Sequence, residues 1–569
     1  MIIPAKGEES VEVKFETRTV GPLVLTTPIF RNTGFGQIID RICPVAEQAE
    51  LSNGQVAELV AQCRLSDPRA LYDVVCWAQT YGIEALYGIR AELLNDDRLG
   101  RLLDDLYPHR ARIWGEWVAT IARQYQVDFS RLHADTMAIL LSGKYDPPAL
   151  EGPRPEPGYN HLGIWTQQLK LFALVCGDGS LPAWFDLLNG GTSDSTTYVP
   201  QFEAFLKHTE LASQLPLDQI LLIGDSKMPS KENQLAWLRM GVGYIAHLAM
   251  EESHQKALKK LLKKGHSWQP IGYVSLHDAY LKPEDQPVYR LLGHNVFFYD
   301  PEDGKSYSLR HLYVYSSALA CHEGARRQAE VEAIEAELKR IQGLVNKYDY
   351  KSPEIIIQRV QAKAFKKRLA QKYFRIEVRK YPKWPWAPLE LVYRLDRSKM
   401  ARDAQLDGIY LLVAHKAGLE LDDEAIFREW KEQHKIEHRF ALLQGPFMLG
   451  PVFLKTPKRI ASLVFLIMAA AMVACLIERQ VRRMVAQRQE PIRGLMPEGR
   501  DNLRPTVERI FKVFATYSVV IARGPDKELL GVEFATLTPV QRQILQALSL
   551  PEPAQVFARA GPWLFQKTG

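Results

Sequence analysis

Gln219-Ile-Leu-Leu-Ile-Gly-Asp-Ser-Lys-Met228 is the stretch on which the fold turns. Ile220 to Ile223 is an unbroken apolar run, Gly224 frees the backbone, and Asp225 follows at once. A run this short and continuous reads as a buried strand, central in a sheet and covered on both faces. A carboxylate just past its end lies at the sheet rim, where open α/β sheets take their ligands. Taken alone, Asp225 is as readily an ordinary turn cap.

Outward from this strand, Ser230 to Met240 reads as a helix and Gly243 to Met250 as another apolar strand. Upstream, Thr196 to Leu211 is helical, and Leu169 to Val175 and Pro182 to Leu188 supply two strands. Ser130-Arg-Leu-His-Ala-Asp-Thr-Met-Ala-Ile-Leu-Leu-Ser-Gly143 is a further strand with Asp135 in its middle. Aspartate is disfavoured inside a strand, so its presence there asks for a reason. The order strand, strand, strand, helix, strand, helix, strand, with Asp135 on the first strand and Asp225 ending the fourth, matches an RNase H-like core of the α/β class.

Length and composition set the frame. A chain of 569 residues exceeds one hydrophobic core and implies about three or four domains. With 46% hydrophobic and 24% charged residues it has the make-up of an ordinary globular protein. The net charge of +6 leans towards a polyanionic partner. The six cysteines, Cys43, Cys63, Cys76, Cys176, Cys321 and Cys475, form no C-x-x-C pair, which argues for free thiols in a reducing cytosol and against a cysteine zinc site. Met1 to Phe15 is charged and lacks an apolar core, unlike a signal peptide. Ile460 to Ile477 is eighteen residues without a charge, long enough to span a bilayer. Ala and Met enrichment, Ser462 inside the run and no companion span favour a helix buried on all sides.

The rest of the chain divides around this core. After an extended lead-in, residues 27–107 are helical, with Ser52 as an N-cap and Pro68 at a first helical position. Such small helical domains bind DNA or simply pack. Beyond the core, Glu251 to Lys264 is a charged helix, Trp268 to Tyr315 is strand-like, and His322 to Tyr348 is a long polar helix. Lys363 to Lys383 interleaves nine basic residues, among them Lys366, Lys367 and Arg368, with Tyr373, Phe374 and Tyr381. That mixture suits phosphate contact with stacking, or a solvated charged helix. Leu389 to Leu395 and Gly408 to Ala414 are strands, Asp422 to Gln444 is a helix, and the apolar helix covers 459–482. A Pro/Gly-rich turn at 491–505 leads into a helical tail with a cap at Thr538-Pro539.

The helix Asp422 to Gln444 carries two chemistries. His434-Lys-Ile-Glu-His438 fits H-x-x-E-H, in which two histidines one turn apart chelate zinc and Glu437 serves as general base, with Glu508 as a candidate third ligand. That would be a zinc metalloprotease. Alternatively, Glu437 shares a helical face with Trp430, Gln433 and Gln444 and turns towards Asp135 and Asp225. Three carboxylates can hold two Mg²⁺ ions about 4 Å apart, on the attacking and leaving oxygens of a phosphodiester. The zinc reading leaves Asp135 and Asp225 without a purpose.

Several blocks together resemble DDE transposases of bacterial insertion sequences, in the cut-and-paste group related to the hairpin-forming type and its long-chain subgroup. They are Leu94 to Tyr107, His133-Ala-Asp-Thr136, Gly158-Tyr-Asn, Asn189-Gly-Gly-Thr-Ser-Asp194, Gly224-Asp-Ser226, and Ile436-Glu437 with Phe440 followed by Gly450-Pro-Val-Phe and the apolar helix. The resemblance implies an RNase H-like mixed-sheet catalytic core interrupted by a β-rich insertion domain, with helical N-terminal and C-terminal regions. The domains would be a helical DNA-binding domain (1–108), the first part of the core (109–250), the insertion domain with long helices (251–405), the second part of the core with the Glu helix (406–490), and a helical C-terminal region (491–569). It implies Asp135, Asp225 and Glu437 as the catalytic and metal-binding triad, with two Mg²⁺ ions or Mn²⁺ in their place. The family's Tyr, Arg and Lys along the Glu helix correspond here to Trp430, Gln433 and Gln444. Trp430 is positioned to stack on a flipped base. The exchange of both cations for glutamine removes phosphate contacts, for which Arg439 or nearby lysines would stand in. The implied activity is cleavage at transposon ends and strand transfer into target DNA by a homodimer, without a membrane, in the bacterial cytoplasm at the nucleoid. A DNA-binding remnant that no longer cuts is the non-catalytic alternative.

Overall fold

The computed structural model describes residues 13–141, 151–159, 164–209, 215–275, 278–381, 383–433, 436–437, 440–441, 443, 445, 454–496, 498–499 and 501–558. The chain is of mixed α/β class and forms two compact units. One comprises residues 1–246, 415–420 and 428–569, the other 247–414 and 421–427.

The first unit opens with strand β1 (Lys14–Thr19) and a set of helices through Arg110–Tyr125. Ser52 caps the helix Asn53–Ser66 as its sequence indicates: its hydroxyl accepts from the Gln55 amide while the Gln55 side chain returns a bond to the Ser52 amide. The sheet follows, with β2 (Arg131–Leu140), β3 (Glu156–Tyr159), β4 (Trp165–Cys176), β5 (Pro182–Leu188), β6 (Leu221–Gly224) and β7 (Gly243–Leu248). β4 lies antiparallel to β2, β3 and β5, whereas β6 runs parallel to β2 on one side and to β7 on the other. All four residues of β6 are buried, the environment that an unbroken Leu-Leu-Ile run demands.

The helix Pro457–Arg488 runs through this unit, and the whole of its most apolar eighteen-residue window is buried. Phe465 on it packs with Phe35, Trp114 and Phe185 from two other helices and β5. Each fully buried large apolar side chain contributes about 1.5–3 kcal/mol, which accounts for a helix apolar on every face.

The second unit holds β8 (Gln269–Ile271), β9 (Tyr289–Tyr299), β10 (Ser306–Ser316), β11 (Phe374–Lys380), β12 (Leu389–Leu395) and β13 (Ile409–His415, whose last residue falls in the first unit). β8, β9, β10 and β13 form an antiparallel run, while β11 and β12 make a separate two-stranded ribbon. The long helix Ser317–Gln342 packs Val331, Ile334, Leu338 and Ile341 into one cluster with Leu391 and Phe374 of the ribbon.

Three expectations change. Lys363 to Lys383 is not a charged helix. It contains a short π-helical segment, a 3₁₀ turn and β11, because Phe374, Ile376 and Val378 alternate inward with period two beneath the charges. The tail beyond 491 is not all helical, since β14 (Ser518–Arg523) and β15 (Leu529–Phe534) form a hairpin whose first strand pairs with β1. The helix begun at Asp423 ends at Lys431, and Glu432 and Gln433 form a turn before Ile436 and Glu437 resume helical conformation. The face shared by Trp430 and Glu437 is therefore not one continuous helix face.

Candidate active site

Register puts two of the three carboxylates side by side. Ala134 of β2 pairs with Gly224 of β6, so Asp135 and Asp225 are the next residues along two neighbouring parallel strands. Glycine suits position 224, where an added β-carbon would press on the side chain of Met228. Asp225 Oδ1 accepts from the Tyr198 hydroxyl at 2.9 Å and from the Lys227 amide at 2.9 Å, which fixes that carboxylate at the strand end. Asp135 Oδ1 accepts from the Thr136 amide at 2.7 Å.

Glu437 arrives from more than two hundred residues further along the chain. Gln433, at the preceding turn, spans to β2, with its amide oxygen 3.3 Å from His133 Nδ1 and its amide nitrogen 3.4 Å from the Ala134 carbonyl. Glu429 adds an ion pair to Arg131 at 3.2 Å. These bonds tie the segment bearing Glu437 to the strand bearing Asp135. Glu437 itself is exposed and lines a cleft of about 670 Å³ with Thr136, Gln168, Lys170 and Asp194.

The electrostatics register the convergence. The Asp135 carboxyl is pushed up to about 7, first by burial and then by the negative charges of Asp225, Glu437 and Asp194, against the pull of the Thr136 amide. Tyr198 is held far above its usual range by burial and by the same aspartates. Asp194 is braced by Lys170 at 2.8 Å and by the Thr136 hydroxyl at 3.1 Å. Among the described residues, no three His, Cys, Asp or Glu side chains stand in a ready-made metal cage. The three carboxylates thus share a field of like charge without closing into ligand geometry.

The other sequence-derived site residues lie as follows. Trp430 is half-buried with Lys431 Nζ 5.6 Å from its ring centre. Both polar ends of Gln433 are engaged inside the chain. Lys366 and Lys367 are exposed, and Arg368 bonds the Ala364 carbonyl at 2.8 Å, all three in the second unit. Arg439, Gln444, His434 and His438 lie outside the described residues. Glu508, half-buried, opens the helix Val507–Phe514. Sequence reasoning missed Tyr198 and Lys170. It passed over Asp194 too, although that residue closes the Asn189–Asp194 block.

Residues 15–113 match a family model described as a domain of unknown function (DUF4277). A comparison with curated proteins finds no match. Among solved structures, the chain is similar to a piggyBac transposase in a synaptic complex with hairpin DNA, at 8% identity and a TM-score of 0.36 over 88% of this chain and 82% of that one. It is also similar to a Mos1 transposase in a pre-cleavage transpososome and in a paired-end complex with the left transposon end, at 12% and 11% identity and a TM-score of 0.15 in both cases, over 39% of this chain and 73% of those chains. At these TM-scores the functional reading rests on the site's own geometry.

Proposed function

We propose that this chain is a DNA transposase of the DDE type that cleaves phosphodiester bonds at transposon ends and joins the 3′ ends to target DNA. One observation carries the reading: Asp135 and Asp225 each follow a paired position on two neighbouring parallel strands, and the charge of Glu437 adds to that of Asp225 in raising the Asp135 carboxyl. The order β5-β4-β2-β6-β7, antiparallel on one side of β2 and parallel on the other, supports an RNase H-like core. The second unit, inserted between β7 and the Glu437 segment, fits the insertion domain of such enzymes.

Asp135, Asp225 and Glu437 would hold two Mg²⁺ ions. The donor set fits, since carboxylate oxygens are the ligands hard divalent cations take and a buried carboxyl that keeps its proton against its neighbours marks a place short of positive charge. When bound, the ions supply polarisation of the attacking oxygen and stabilisation of the leaving one. The chain's own residues do the positioning. Tyr198 and the Lys227 amide orient Asp225, Thr136 orients Asp135, and Gln433 holds the Glu437 segment against β2. Lys366 and Lys367, exposed in the second unit, suit phosphate contact, and Trp430 suits stacking. Inverted-repeat ends paired by a homodimer complete the proposal.

The test is a cleavage assay with Mg²⁺ on the DNA flanking the gene. Asp225→Asn should lose more than about a hundredfold in rate, since even outer-shell partners of a bound metal cost that much, while end binding persists. Cleavage at the original rate in Asp225→Asn ends the assignment. Wild-type protein that binds the ends but cuts nothing with Mg²⁺ or Mn²⁺ is the non-catalytic remnant instead.

A further inference from the structure

The ribbon β11–β12 carries a surface that neither the triad nor the fold of the second unit uses. Its inner face, Ile376, Val378, Leu391 and Tyr393, packs on the long helix. Its outer face sets Arg375 directly opposite Arg394. Like charges facing each other across a ladder destabilise it, and Arg375 remains 83% exposed, with an ion pair to Asp396 at 3.8 Å. Residues 374–395 hold five Lys and Arg against two Glu.

The tip of the ribbon is aromatic. Trp386 is 93% and Trp384 65% exposed. Tyr381 stacks on Trp384 with ring centres 5.6 Å apart and planes 26° from parallel. The backbone beneath is organised: Tyr381 N–H donates to the Pro388 carbonyl at 2.7 Å, Trp384 N–H to Tyr381 at 2.9 Å, and Ala387 N–H to Trp384 at 3.2 Å. Pro385 and Pro388 stiffen the tip further. Two large rings are thus held out to solvent on a braced turn, and little conformational freedom remains to be lost when something stacks on them.

We propose that this tip is a stacking platform for the unpaired bases of single-stranded DNA, with Arg375 and Arg394, near the other end of the ribbon, taking backbone phosphates further along the strand. Bases inside a duplex have both faces covered, so flat exposed rings select unpaired ones, and an anion between the facing arginines would relieve their repulsion. The choice of DNA as the strand rests on the proposed function. Exposed rings on a ribbon whose basic residues outnumber its acidic ones favour a nucleic acid over a protein partner, which a mainly apolar patch would fit.

The full-length chain without divalent metal, mixed with a fluorescein-labelled oligothymidylate of about 20 nucleotides, a typical single-strand site size, gives the readout by anisotropy. Trp384→Ala with Trp386→Ala should weaken single-strand binding by about five- to a hundredfold, Trp386→Phe should keep most of it, and affinity for a duplex of the same length should not move. Arg375→Ala with Arg394→Ala should reduce the salt slope by about 1.4, two phosphates' worth. Unchanged oligothymidylate affinity in the double tryptophan variant overturns the inference, as does an equal loss on duplex. An altered oligomeric state by light scattering with DNA affinity intact makes the tip a protein interface instead. The cleavage assay separates the two readings. Asp225-dependent cutting with no tryptophan effect sinks the platform alone, and a tryptophan effect in a protein whose Asp225→Asn variant still cuts sinks the transposase reading alone.

Discussion

The two compact units treat ionisable groups differently. The first buries them: Glu58, Arg64, Glu478 and Arg479 are each 5% exposed or less. In the second, among the described residues, Asp300 is the one charged side chain buried to that degree, and the groups drawn inward that titrate on the acid side of neutrality include the imidazoles His294 and His311. The first unit encloses a 32-residue helix that turns polar only near its end, so charge there is used to fasten one interior element to another. The second is built around a ribbon and an antiparallel run of strands, with most of its charge towards solvent. The difference teaches where each unit is vulnerable: the first to loss of a partner, the second to acid.

The largest expected effect tests the first half of that contrast. The Arg479 guanidinium pairs with Asp178, Nε to Oδ1 at 2.8 Å, and donates to the carbonyls of Tyr125 and Gln126 at 3.0 Å each. Those carbonyls end the helix Arg110–Tyr125, which leads directly into β2 and Asp135. A cation at a helix C-terminus is favourable in itself, and this one also ties the core helix to the strand carrying the site. Arg479→Ala leaves Asp178 with only the Asp128 amide, the Tyr125 carbonyl with Arg483 and the Gln126 carbonyl without its guanidinium, and should cost up to about 3–5 kcal/mol in denaturant unfolding, with Arg479→Lys recovering only part. A cost below about 1 kcal/mol, the range of an exposed pair, would erase the distinction between the units.

Glu58 gives the next effect. It is fully enclosed, accepts the Gly36 amide at 3.1 Å, and burial pushes its carboxyl up to about 7 despite the nearby Arg31. Below the ordinary 4.5 both folded and unfolded chains hold the proton. Between 4.5 and about 7 the unfolded chain releases it first, so stability is complete at low pH and falls as pH rises through that window. Glu58→Gln keeps the acceptor for Gly36 and removes the titration. Measured against wild type, the variant should gain with pH up to an order of 3 kcal/mol by pH 8. A difference that does not change with pH means that Glu58 stays ionised in the folded chain.

What the sequence disclosed follows the same physics. β6 and the helix Pro457–Arg488 were legible because complete burial writes an unbroken apolar run, and β2 because Asp135 interrupts one. β11 was hidden, since its inward Phe374, Ile376 and Val378 are outnumbered by charges on the other face, and β14–β15 lay among helical neighbours. Asp135 and Asp225 were marked by their strand positions. Tyr198 was not, because its bond to Asp225 spans 27 residues and only the fold brings them together. The break at Glu432 and Gln433 was equally silent: helical spacing continues through it, and the contact that Gln433 makes there, to Ala134 of β2, lies 299 residues away in sequence.

The smallest expected effect has the opposite sign to that of Glu58. His311 on β10 faces His294 directly across on β9 and lies 5.6 Å, ring centre to ring centre, from both His294 and His254 of the helix Glu252–Lys263. Arg310 and His266 add positive charge beside His294, and Tyr313 stacks on it. Burial, then His294 and His254, drive the His311 imidazole down to about 4. Above the ordinary 6.5 it is neutral in both states. As pH falls from 6.5 to about 4 the unfolded chain takes up a proton that the folded chain refuses, so stability is lost on the acid side. His311→Gln should flatten that limb, by less than Glu58→Gln flattens the other because the ring is only half-buried. Between pH 4.5 and 6.5 the two groups oppose each other in wild type, so removing either one should tilt the profile and removing both should level it again. If the two units unfold in separate transitions, each tilt should belong to one of them. Both tilts in a single transition would mean that the chain unfolds as one, and that the contrast between the units is one of composition and not of stability.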